Sequence, residues 1–185
     1  MKRGMALVLV CLLMCLSCTA LAADNPFSGM RTYGAGMYRV GSDMQPGEYV
    51  LMATSDYLGY FCVSEDVAQK DIVCNDMFDV NSIVAVRSGE YVELSRCIAI
   101  YSSDFYSRYT IRYEGNTGVM LKVGYDIRPG TYRLKQTDSD YDGYYCVYND
   151  NRQDDIEEND LFENTTYVTV RSGQYLELSR CTIVD

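Results

Sequence analysis

The side chains available for chemistry are carboxylates, thiols and phenols, because the 185 residues include no His. That absence removes the Ser-His-Asp and Cys-His catalytic units and every imidazole metal ligand. For a hard cation, oxygen donors remain. Asp138, Asp140 and Asp142, followed by Gly143, match the opening of a calcium loop, in which alternating carboxylates converge and Gly permits the turn. The twelfth position, however, is Asn149 rather than a bidentate Glu, and the segment runs into a strand instead of a helix. The balance favours an acidic hairpin turn and no cofactor, with calcium as the alternative. A glycosidase needs only two carboxylates. Yet no pair stands out from the 26 Asp and Glu, so a small carboxylate-pair hydrolase ranks last and we expect no enzymatic activity.

Tyr is abundant, at 18 residues with no Trp. Within strands it fills pleated faces. Tyr57 and Tyr141 fall instead in turns, where an amphipathic ring suits a binding surface for a sugar or a protein. They are the candidate ligand residues; the sequence does not identify the partner, and an envelope glycan or a protein are the options. Nucleic acid is not expected, since a net charge of −10 repels phosphate.

The compartment sets the reading of the thiols. Lys2 and Arg3, the apolar run from Ala6 to Leu16 and the small residues at Ala20 and Ala22 form an export signal cleaved after Ala22. Lipid attachment through Cys18 is the less favoured alternative. Cleavage leaves 14 basic against 26 acidic residues, a net charge of −12, and five of the eight Cys. Cys62 and Cys97 are 35 residues apart, as are Cys146 and Cys181, so one disulfide in each pair is expected of a secreted or periplasmic chain. Cys74 is left over, either as a buried thiol or as the link in a homodimer.

The elements that must position these residues are written twice. Met37 to Thr54 aligns with Met120 to Thr137, and Ser55 to Ile100 with Ser139 to Val184, giving 34 identities in 64 positions. The expected organisation is a signal over 1–22 and two tandem domains over 23–104 and 105–185. Each domain has strand signals separated by turns such as Gln45-Pro46-Gly47 and Arg128-Pro129-Gly130. Ser82–Arg87, the pair Ser88-Gly89 and Glu90–Leu94 read as a β-hairpin, repeated around Ser172-Gly173. Arg108–Tyr113 alternates and reads as the opening strand of the second domain, and a short helical turn is expected near Asp71–Phe78. The fold class is all-β: two duplicated antiparallel, jelly-roll-like β-sandwiches of six to eight strands each. Ten of the acids crowd into 138–163, giving the second domain a concentrated negative face. Arg87, Glu93 and Arg96, repeated as Arg171, Glu177 and Arg180, read as cross-strand ion pairs.

Three motifs carry a resemblance: Val40-Gly41-x-Asp43-x-x-Pro46-Gly47-x-Tyr49, then Asp71-Ile72-x-x-Asn75-Asp76-x-Phe78, then Val86-Arg87-Ser88-Gly89-x-Tyr91-x-Glu93-Leu94. Together with their second copies they resemble an uncharacterised repeat family of bacterial secreted proteins and lipoproteins. The resemblance implies a small extracytoplasmic β-domain near the cell envelope and carries over no catalytic residue. The function expected is therefore non-enzymatic, in binding or envelope structure. A carbohydrate-binding module, calcium-assisted or not, is the alternative.

Overall fold

Alternating apolar and polar residues, punctuated by Pro-Gly and Ser-Gly turns, build short strands that each bury one face. A computed structural model describes residues 26–113 and 118–184. The expected export signal over 1–22 and Cys18 lie outside the described residues.

The first copy contains β1 (Thr32–Tyr33), β2 (Gly36–Arg39), β3 (Gly47–Ala53), β4 (Gly59–Ser64), β5 (Ile72–Phe78), β6 (Asn81–Val86), β7 (Tyr91–Ser95) and β8 (Cys97–Tyr101). A short helix α1 (Ser102–Tyr106) leads to β9 (Val119–Lys122), β10 (Gly130–Gln136), β11 (Gly143–Tyr148), β12 (Ile156–Phe162), β13 (Thr165–Val170), β14 (Tyr175–Ser179) and β15 (Cys181–Val184).

The pairing is antiparallel and forms two sheets in each copy. The first has orders β1-β8-β3-β6 and β2-β7-β4-β5. This interleaving of eight strands over two sheets is a jelly roll. The second copy repeats the order as β15-β10-β13 and β9-β14-β11-β12, without a counterpart of β1 among the described residues. Arg108–Tyr113 is not a strand, so the expected opening strand does not form there; the Ile111 N–H is drawn instead to Asp126 Oδ1 at 2.6 Å. The expected helical turn near Asp71–Phe78 is strand β5.

The expected hairpin is also corrected. β6 pairs with β3, whereas β7 pairs with β2 and β4. The Ser88-Gly89 turn carries the chain across the sandwich from one sheet to the other, held by Gly89 N–H to Val40 O at 3.0 Å. Gly89 adopts φ +97°, a conformation open to Gly at little cost. Both strands still bury alternate residues, Val84 and Val86 from one side and Val92 and Leu94 from the other, in one core.

Residues repeated between the copies have repeated tasks. Tyr49 donates its hydroxyl to Gln45 O, and Tyr132 to Arg128 O, each closing its Pro-Gly turn at 2.7 and 2.6 Å. Arg96 and Arg180 adopt φ +53° between sheets, and each Nε donates to a loop carbonyl, Leu58 O or Asp142 O. These arginines therefore tie loops down and are not the expected partners of Glu93 and Glu177. Of the repeated arginines, Arg171 does pair with a carboxylate, Glu157 on β12, at 3.0 Å.

Candidate functional site

The densest polar constellation lies where the two jelly rolls meet. Strand alternation sends Tyr49 and Leu51 of β3 into the first core and Glu48 and Val50 outward. Outward here means into the joint. Val50, Ile83 and Ile100 share one apolar cluster with Met120 and the second core.

Glu48 is the hub of that joint. Its Oε1 accepts from Ser102 of α1 and from Lys122 Nζ of β9, and its Oε2 from Asn151 Nδ2 at 2.8 Å and the Tyr175 hydroxyl at 2.5 Å. Burial alone would raise its pKa, but these four hydrogen bonds outweigh it and hold the carboxyl below its ordinary value. The Lys122 ammonium is also flanked by aromatic rings, with Tyr125, Tyr106 and Tyr175 centroids at 4.7, 5.6 and 5.8 Å. Tyr106 donates in turn to Asp126 at 2.9 Å. Beside this arrangement an open hollow of about 300 Å³ is walled by Tyr101, Ser103, Tyr106 and Tyr125.

A second tie covers the edge of a sheet. The β6 strand would otherwise present unpaired backbone groups. Instead Ala85 N–H donates to Asn151 O at 2.9 Å, and Asn81 exchanges two side-chain bonds with the Met120 backbone. Arg152 adds a fork onto Glu90 at 2.8 and 3.3 Å and reaches Ala85 O at 3.2 Å.

The third part is acidic. Asp76 of β5 accepts from Ser82, which accepts from Gln153 of the other copy. Glu177 of β14 accepts from Tyr148 at 2.7 Å. Burial first, and then the Glu177 charge, push Asp76 up to about 6; burial likewise raises Glu177. Two acids with raised pKa on one cavity are what a proton-transfer site would require. That cavity, lined by Asp76, Asp79, Asn81, Met120 and Glu177 among others, has only about 40 Å³. This is room for about one water and not for a sugar ring.

The residues singled out by sequence lie elsewhere. Tyr57 and Tyr141 are 77% and 67% exposed, on the β3–β4 and β10–β11 loops. Tyr141 borders a broad hollow of about 840 Å³ with Asp138, Asp140, Asp142 and Glu163. There Asp138 Oδ1 accepts the Asp140 N–H at 2.8 Å, which is a turn-closing contact. Among the described residues no group of three or more Cys, Asp and Glu is placed to hold a metal ion.

The expected disulfides are not formed: Cys62, Cys97, Cys146 and Cys181 are buried free thiols. For the first pair the reason is strand parity. Phe61 and Val63 face the first core, which turns Cys62 outward, whereas Cys97 faces the core with Ala99. In the second copy Cys146 and Cys181 belong to one buried cluster with Tyr145 and Val147, and each is a free thiol. Cys74 is half-buried against the first core, and burial pushes its thiol up to about 12.

Glu48, Lys122, Asn151 and Arg152 escaped the sequence reading. The signal for them was mismatch between the copies, whose counterparts are Thr131, Arg39, Val67 and Ala68. No protein-family description, curated protein or solved structure matches this chain.

Proposed function

We propose that this chain is a non-enzymatic, exported bacterial β-protein of two repeats that serves in binding or in envelope structure, in keeping with the secreted repeats it resembles. The observation that carries this reading is how the polar groups of the joint are used. Glu48 has every acceptor position filled by the protein itself, and Arg152 is committed to Glu90 and Ala85. Groups consumed in this way stabilise a fixed arrangement and have no capacity left for a reaction. The raised carboxylates Asp76 and Glu177 adjoin a cavity too small for a substrate. A protein of this kind acts through what its surface and hollows hold.

The test is a pair of assays on the purified protein. Incubation with insoluble bacterial envelope material should sediment the protein without release of reducing sugar. Sugar release that disappears in Asp76→Asn and Glu177→Gln would instead make it a carboxylate-pair hydrolase.

A further inference from the structure

We propose that the hollow beside Lys122 is a binding site for a neutral sugar ring, with Tyr125 as its stacking platform. The proposal rests on the reading of the chain as a binding protein and assigns that role to particular residues.

Four observations carry it. The hollow is concave, of about 300 Å³, and built by both copies, with Glu48 and Tyr101 from the first and Lys122 and Tyr125 from the second. Small-molecule sites favour such junctions. Tyr125 is 57% exposed although Tyr106 packs on it at 4.8 Å and Lys122 lies 4.7 Å from its centroid. The ring is thus fixed by neighbours while much of its surface remains in solvent. A held aromatic surface suits the C–H face of a pyranose better than a mobile one, because less ordering is needed on binding.

The polar fittings match as well. Glu48 is the one side-chain acceptor given to the Lys122 ammonium among the described residues, and an ammonium has three N–H donors. Ser103 is exposed on the rim and can donate or accept, as can the Tyr125 hydroxyl. A sugar hydroxyl pair offers both roles in return. The Lys122 charge is balanced by Glu48 at 2.5 Å, so the floor carries no net charge to call for an ionic ligand. The negative balance of the whole chain disfavours an anionic one.

Last, the platform is not required by the turn that carries it. Val123 and Ile127 form the same isolated parallel bridge as Val40 and Met44 in the first copy. The position equivalent to Tyr125 is there Ser42. The turn therefore closes with Ser, and the aromatic ring is an addition to it. The hollow's other side, α1, follows the first copy alone among the described residues.

The experiment is calorimetric titration of the purified protein with cellopentaose, chitopentaose and mannopentaose, and with a pentagalacturonate as the charged control. The variant is Tyr125→Ser, the side chain its counterpart turn already carries. One neutral oligosaccharide should saturate the protein, Tyr125→Ser should weaken it by about tenfold or more, and pentagalacturonate should bind more weakly than the neutral sugar. Tyr57→Ala and Tyr141→Ala should leave that binding unchanged. Binding lost in Tyr141→Ala or Tyr57→Ala but kept in Tyr125→Ser would overturn this site while sparing the binding reading. No heat from any neutral oligosaccharide at about 5 mM would also overturn it, and would leave envelope structure as the reading to pursue.

Discussion

The same face of the jelly roll has opposite fates in the two copies. In the first, the outer side of β3 and the β6 edge carry Glu48, Val50, Asn81 and Ile83, and the second copy covers them. In the second, the equivalent strands β10 and β13 present Thr131, Arg133, Lys135, Thr165, Tyr167 and Thr169 to solvent. Core and turns are shared by both, down to the tyrosine that closes each Pro-Gly turn. The lesson is a division of labour within one repeated pattern. Identity between the copies maintains the sandwich, and mismatch builds the joint.

Giving one copy the other's residue tests this division of labour. Glu48→Thr should cost about 3 kcal/mol in urea unfolding, since it strands Lys122 and removes the acceptor of Ser102, Asn151 and Tyr175. The reverse change, Thr131→Glu on the open face, should stay within about 0.5 kcal/mol. Similar losses from both would mean that the two faces are not different in kind.

Arg152→Ala copies the first repeat's Ala68 and should cost about 2 kcal/mol by the same measurement, because the largely covered Glu90 then loses its fork. Combining it with Glu90→Gln, the residue of the second copy at Gln174, should recover part of that loss.

The acidic part of the joint adds a pH dependence. Asp76 has a folded-state pKa of about 6, above the roughly 3.9 of an unfolded Asp. The folded protein therefore binds the extra proton, and this contribution is complete below about pH 4 and is lost as pH rises through about 6. Glu177, also raised, acts in the same direction. Glu48 is lowered and works oppositely, its contribution failing as pH falls below its ordinary range. Thermal unfolding should thus show greatest stability on the acid side of neutrality. Asp76→Asn should flatten the decline between pH 5 and 7 by about 2 kcal/mol or less. An unaltered decline in that variant would show that Asp76 does not set it.

The smallest effect expected is that of a reductant. With the four paired positions held as free thiols, dithiothreitol should move the melting temperature by no more than about 1 °C, whereas cleavage of two disulfides would move it far more.

Much of the sandwich was legible because period-two burial and turn residues are local signals. Strands around Glu48–Ala53 and Tyr60–Ser64 are where alternation puts them, as β3 and β4. Alternation does not, however, say which sheet the next strand joins. Ser82–Leu94 therefore reads as a hairpin, although the turn at Ser88-Gly89 crosses the sandwich. Equal spacing misled in the same way for Cys62 and Cys97, since 35 residues fixes a loop length but not the side of the sheet each thiol faces. The joint was the least legible part. Nothing about Glu48 by itself marks a hub; only its replacement by Thr131, beside so many identities, sets it apart.

Through the joint the two jelly rolls should unfold as one cooperative unit, which scanning calorimetry of the purified protein measures. The expected result is a single transition whose calorimetric and van't Hoff enthalpies agree, a ratio of about one, with two transitions appearing in Glu48→Thr. Two independent transitions in the unaltered protein would contradict it.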